Sequence, residues 1–327
     1  MGNGNSNRPR FKRNVIGMLE RMINGQPGMG PVLAGAYIHE TLRDISRYSL
    51  LNEGSMWRPL ILRAVASTYD IKREHVIHYS SIIEAIHGLT LSLDDLPCMD
   101  DAFERRGKSP AHIKFADEMG ASKDSGTAKV ILNVFGYLSH FDAYIIHGPA
   151  TPEQNIMIFD EVTLAKINLA SGQEIDLADT QKISDLKGFA DFYRLKTGAL
   201  YGAAMATAVR LGNEESHKVD LYREAGNNLG ISFQFDDDIL DWGGDQSKVK
   251  KTLGLDDRRN TPFDIANPKE IFRTGEMYAE NARELLGKTG NNIINVKRLM
   301  SEMKRAFNSK MLPDKLAELI SARPKAL

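Results

Sequence analysis

Apolar residues recur with helical spacing through long stretches of this chain, and no strand-rich region interrupts them. The spacing predicts helices over about 31–47, 58–69, 74–93, 128–147, 152–171, 184–211, 214–242, 269–286 and 292–308. Gly148-Pro149 and Gly243-Gly244 stop two of them, while Ser184 and Pro152 suit the first positions of two others. No internal repeat or low-complexity linker marks a seam. The pattern therefore reads as all-α: a single domain over residues 13–327, preceded by a disordered tail over 1–12.

Composition narrows the function classes. The chain has 327 residues, 42% of them apolar and 26% charged, enough for a large helical core. A formal net charge of −1 gives no basic field, so nucleic acid is not an expected partner. Cys98 is the only cysteine, which excludes an internal disulfide and a cysteine-rich zinc site and suits a reducing, cytoplasmic compartment. No apolar run approaches the length of a transmembrane segment, and no apolar signal-peptide core is visible near the start. Gly2 and Ser6, followed by Arg8, Arg10, Lys12 and Arg13, fit the loose myristoylation pattern. So short a pattern recurs by chance, and the segment reads as a Gly/Asn/Ser tail.

Two acid clusters carry the chemistry: Asp94-Asp95-Leu96-Pro97-Cys98-Met99-Asp100-Asp101 and Asp236-Asp237-Asp238-Ile239-Leu240-Asp241. Each follows a largely apolar run, where unpaired like charges would cost several kcal/mol, roughly, unless a cation sits among them. A few carboxylates combined with phosphate oxygens are the usual surroundings of Mg2+. Asp237 and Asp241 lie four apart and share a helical face, with Asp238 beside them. Asp94 and Asp100 would face apart on a regular helix, so Pro97 should introduce a bulge that returns Asp100 toward Asp94. The bland alternative for either cluster alone is a solvated acidic face.

Cationic residues extend the picture. Arg105-Arg106-Gly107 follows the first cluster, and Lys196-Thr197-Gly198 lies between the two. Arginine forks bind phosphate oxygens in pairs, and lysine binds them as a point charge. A polyphosphate bridged by Mg2+ to the carboxylates fits this set, whereas no P-loop or kinase signature is present.

These residues resemble the trans-isoprenyl diphosphate synthases, the polyprenyl synthetase family that includes farnesyl and geranylgeranyl diphosphate synthases. The first cluster with Arg105-Arg106-Gly107 looks like that family's first aspartate-rich motif, and Phe233-Gln234 through Asp241 like its second. Gly172-Gln173-Glu174-Ile175-Asp176-Leu177 and Lys196-Thr197-Gly198-Ala199 match two intervening elements in order. The likeness runs from about Gly54 to Asp241. It implies an antiparallel bundle of the isoprenoid synthase type with a central active-site cavity. It also implies a short-chain prenyltransferase that joins a C5–C15 allylic diphosphate to isopentenyl diphosphate, as a homodimer. Asp94, Asp100 and Asp237 would ligate three Mg2+, with Asp95, Asp101, Asp238 and Asp241 as further ligands or supports. Arg105 and Lys196 would hold the allylic diphosphate, and Arg58, His87 and Arg106 that of isopentenyl diphosphate. Lys196 and Thr197 carbonyls and the Gln234 side chain would face the allylic cation.

The chain departs from the family pattern at several places. Ser55 stands where Gly-Lys-x-x-Arg-Pro has lysine, Leu93 precedes Asp94 in place of histidine, and Leu132-Asn133-Val134-Phe135 is a degraded helix motif. Lys251, Asp256 and Arg259 match the later loop only loosely. Thr90 and Leu89, rather than aromatics, precede the first motif, which favours a product near C20 over C15. Ser55 also keeps open a terpene cyclase, or a prenyltransferase with another acceptor, on the same fold. A non-catalytic partner subunit is the third reading, opposed by the retained aspartates.

Overall fold

The structure, a computed structural model, describes residues 7–26, 35–52, 54–105, 107–178, 182–245, 247–248 and 261–321. Among these the only strand-like pairings are two isolated bridges, Arg105 with Lys108 and Gly244 with Met311. The helices are, in order, α1 (Asn7–Ile23), α2 (Glu40–Leu50), α3 (Trp57–Ala66), α4 (Arg73–Asp94), α5 (Ala111–Glu118), α6 (Lys123–Ile146) and α7 (Pro152–Leu177). They continue as α8 (Leu186–Tyr193), α9 (Ala199–Leu211), α10 (Ser216–Gly243), α11 (Pro268–Lys288), α12 (Ile294–Asn308) and α13 (Pro313–Ile320). Arg194–Gly198 forms a π-helical turn between α8 and α9.

Helix α9 is the centre of the fold, buried at nearly every position from Ala199 to Leu211. Its small residues let α10 approach closely: a Cβ on Gly226 would lie 2.7 Å from Gly202 Cα, closer than packed atoms tolerate. The second half of α10 builds a separate apolar cluster, in which Phe235 and Ile239 meet Phe189, Phe272 and Phe307.

Several boundaries differ from the periodicity. Residues 7–12, expected as tail, belong to α1, because Phe11, Val15 and Leu19 form a buried stripe on it. Part of the expected 31–47 helix, residues 31–34, lies outside the described residues, as do Gly2 and Ser6. Here α2 starts at Glu40, where the His39 ring accepts from Thr41 N at 3.2 Å. The single helix expected over 184–211 is interrupted by the π-turn, and Asp185 caps its start rather than Ser184, accepting from Gly188 N at 2.7 Å. Pro152 does open α7, where Thr151 and Gln154 form a capping box. Helices α5 and α13, eight residues each, are too short to show a period.

Candidate active site

Helix α4 ends at Asp94, and a tight turn rather than a bulged helix reverses the chain. Asp100 N donates to the Asp94 carbonyl at 2.8 Å, and Asp101 N to that of Leu96 at 3.0 Å. Asp101 adopts a left-handed φ of 48°, which a short polar side chain tolerates. Asp100 therefore returns to Asp94 as Pro97 led us to expect, by a different route. Arg105 closes the turn: Nε and Nη2 each lie 2.6 Å from Asp95 Oδ1, and Nη2 lies 3.8 Å from Asp100 Oδ2. Burial raises the Asp95 carboxyl pKa against the pull of Arg105. Burial also pushes Asp94 up to about 6, with Lys196 opposing and Asp100 adding to the rise.

Lys196 and Thr197 sit on the π-turn, a widened helical geometry often found at functional sites. Two glycines wedge this turn between helices. A Cβ on Gly172 of α7 would stand 2.5 Å from Lys196 N, and one on Gly230 of α10 would stand 2.5 Å from Gly198 Cα. Lys196 Nζ donates to Asp176 of α7 and lies near enough to Asp94 to stabilise its charged form. Thr197 Oγ1 donates to Gln234 Oε1 at 2.8 Å, tying the turn to α10.

The second cluster fans out from α10. Asp236 pairs with Lys304 of α12 at 2.7 Å, and Lys304 also meets Glu276 at 2.7 Å. The same ammonium lies 4.5 and 4.4 Å from the Phe272 and Phe307 ring centres. Burial pushes Asp236 up to about 6, with Lys304 opposing. Asp238 is buried and accepts from the Tyr193 hydroxyl at 2.7 Å, and burial holds its carboxyl pKa well above the usual range. Asp237 and Asp241 remain partly exposed.

Around Asp237 the structure gathers three further groups. Its charge, that of Arg58 and that of Glu84 all act on the buried Tyr201 hydroxyl. The Arg58 guanidinium stacks over the Tyr201 ring at 4.6 Å. His87, half-buried, precedes Asp94 by two turns on the same face of α4. Arg106, Lys251, Asp256 and Arg259 lie outside the described residues. Asp237 and Ser55 line one cleft, together with Trp57, Phe233, Arg283 and Lys304. Asp95 and Arg105 line another. Leu89 is fully buried, and the Thr90 hydroxyl donates to the His87 carbonyl at 2.9 Å.

Among the described residues, no three His, Cys, Asp or Glu side chains converge on one ion position. The carboxylates come instead in two small groups, Asp94 with Asp100, and Asp237 and Asp241 on either side of Asp238, all of them hard oxygens. One or two protein carboxylates per ion, completed by phosphate and water, is the set Mg2+ takes, so the residues fit that metal. Sequence reasoning assigned no role to Asp176, Glu84, Tyr193 or Lys304. Asp176 stood inside a quoted motif and could have been found there, whereas Lys304 lies 68 residues from Asp236 with no spacing to signal the pair.

An all-α bundle whose two acid-rich segments are linked through a Lys-Thr-Gly π-turn has the architecture of the isoprenoid synthases. The chain belongs to the polyprenyl synthetase family, whose profile matches residues 39–303. It is 29% identical over 255 residues to farnesyl diphosphate synthase of Bacillus subtilis, covering 76% of this chain and 83% of that one. It is 33% identical over 221 residues to the chloroplastic geranylgeranyl pyrophosphate synthase 3 of Arabidopsis thaliana, covering 66% of this chain and 59% of that one. The chain thus spans about three-fifths of the plant relative's length. A geranyltransferase from Helicobacter pylori, solved with magnesium and isoprenyl diphosphate, shares the fold at a TM-score of 0.71 and 18% identity, covering 94% of this chain and 98% of that one.

Proposed function

We propose that this chain is a magnesium-dependent short-chain trans-prenyltransferase, joining an allylic diphosphate of C5–C15 to isopentenyl diphosphate to give products of about C15–C20. The observation that carries the proposal is the π-turn, which sets Lys196 beside Asp94 and Thr197 against Gln234. Asp94 and Asp100 on one side and Asp237 and Asp241 on the other would hold Mg2+, three ions in all, with Asp95, Asp101 and Asp238 supporting them. Bound there, Mg2+ supplies charge stabilisation for the departing diphosphate.

The protein's own groups do the rest. Arg105 keeps donors beyond those given to Asp95, since a guanidinium carries five, and these hold diphosphate oxygens. Lys196 adds a point charge as it exchanges Asp176 for phosphate. As the C–O bond breaks, the Lys196 and Thr197 carbonyls and Gln234 Oε1 face the allylic cation. The isopentenyl double bond attacks it, and a proton leaves with the released diphosphate. Arg58, held on Tyr201, binds the isopentenyl diphosphate together with His87 and Arg106. Close packing of α7, the π-turn and α10 excludes water that would otherwise quench the cation.

A homodimer belongs to the same proposal. Ile131, Leu132 and Phe135 of α6 and Leu164 and Ile167 of the adjoining α7 are exposed, Phe135 at 75%. An apolar face of this kind marks a protein contact. A single isoprenoid synthase domain, widened from 13–327 to take in residues 7–12 of α1, and a cytoplasmic location complete the reading. The lone Cys98 favours that location, and no described helix is long and apolar enough to cross a membrane. Asp94→Ala and Asp237→Ala test the site: each should abolish incorporation of isopentenyl diphosphate, and near-normal rates in either would overturn the assignment.

A further inference from the structure

Tyr193 closes α8 immediately before the π-turn, and it is 4% exposed. Its ring packs against Phe189, Phe192 and Phe235 at centroid distances of 5.8, 5.1 and 5.0 Å. Phenylalanine would serve that packing equally well, so the hydroxyl needs its own explanation. It donates to Asp238 Oδ2 at 2.7 Å, with both groups buried. The Gln234 side chain, one turn earlier on α10, also favours the charged form of this carboxylate.

A glutamine amide has one oxygen and one nitrogen on opposite sides. Gln234 and Asp238 lie four apart on one face of α10 and an ionised carboxylate only accepts, so the amide nitrogen is the end suited to Asp238, while Oε1 accepts from Thr197 Oγ1 at 2.8 Å. Tyr193 therefore fixes Asp238, Asp238 fixes which way the Gln234 amide is turned, and Gln234 fixes Thr197 on the π-turn. A reversed amide would present its positive N–H groups where its oxygen now stands.

We propose that Tyr193 is a positioning residue for the ionisation half of the reaction, acting through Asp238 to hold the Gln234 oxygen toward the allylic cation. This rests on the reading that Gln234 and Thr197 face that cation. When they are misaligned, water adds to the cation, loses a proton and gives the prenyl alcohol in place of the elongated diphosphate. Tyr193→Phe keeps the ring and removes only the hydroxyl.

The experiment compares wild type, Tyr193→Phe, Gln234→Leu and the double variant with Mg2+, an allylic diphosphate and isopentenyl diphosphate. It reads kcat, KM, the alcohol share of products and the thermal midpoint. Tyr193→Phe should lower kcat by at least about tenfold and raise the alcohol share, with the allylic KM within about twofold of wild type. The double variant should be no slower than Gln234→Leu, because both act through one amide. The proposal is overturned if Gln234→Leu is impaired while Tyr193→Phe keeps wild-type kcat and alcohol share. Losses that multiply in the double variant, or a kcat loss tracking the thermal midpoint with no extra alcohol, overturn it too. An unimpaired Gln234→Leu would instead remove the cation-facing reading beneath it.

Discussion

Gly172→Ala tests the close packing behind the π-turn. The new Cβ would stand 2.5 Å from Lys196 N, 2.7 Å from Lys196 Cα and 3.0 Å from the Leu195 carbonyl carbon. All three are backbone atoms, so no flexible side chain can swing aside. An ordinary contact begins near 3.4 Å, and the turn must withdraw from α7 by about 0.9 Å to reach it. That displacement moves Lys196 and Thr197 together, away from Asp94 and Gln234. Misplacement of reacting groups by about 1 Å reduces turnover on the order of 100-fold, while overpacking of a core costs about 1–3 kcal/mol. We therefore expect kcat for isopentenyl diphosphate incorporation to fall about 100-fold and the thermal midpoint to drop by only several degrees, roughly. Gly287→Ala is the control, since nothing lies within 4 Å of its Cβ position, and it should leave kcat unchanged. A Gly172→Ala enzyme with kcat within about threefold of wild type would refute the reasoning, because the π-turn would then not need its present seat.

Two further outcomes follow from other parts of the molecule. His78 is buried, its Nε2 lies 2.8 Å from the Tyr144 carbonyl, and burial pushes its pKa down from 6.5 to about 4. The unfolded state takes up this proton first, so its stabilising contribution is complete above pH 6.5 and is lost as pH falls toward 4, to a total of about 3 kcal/mol. His78→Gln, which can still donate to Tyr144, should flatten thermal stability over that window, and an unchanged acid slope would show that other groups carry it. On the proposed homodimer, Phe135→Glu places a charge on the exposed α6 face and should lower the mass found by light scattering to that of a monomer, whereas a mass equal to that of wild type would remove this face as the interface.

Periodicity reached the long helices α4, α6 and α10 because each buries apolar residues over much of its length. It missed the π-turn because Arg194–Gly198 continues the helical pattern without a break, and only the close approaches of Gly172 and Gly230 explain the widening. The return of Asp100 to Asp94 was legible from Pro97, but its form was not, since it depends on the left-handed Asp101 and on Arg105. Spacing also treated Asp236, Asp237 and Asp238 as one acidic group. The fold separates them: Asp236 goes to Lys304, Asp238 to Tyr193, and Asp237 stays beside Arg58 and Tyr201. Such partners come from helices tens of residues away, and no local pattern encodes them.

Incubation with Mg2+, labelled isopentenyl diphosphate and C5, C10 or C15 allylic diphosphates, followed by sizing of the products, addresses chain elongation itself. Label should appear in prenyl diphosphates of C15–C20, despite serine at position 55. Diphosphate released from the allylic substrate with no label incorporated would contradict the account and point to a cyclase built on the same two acid clusters.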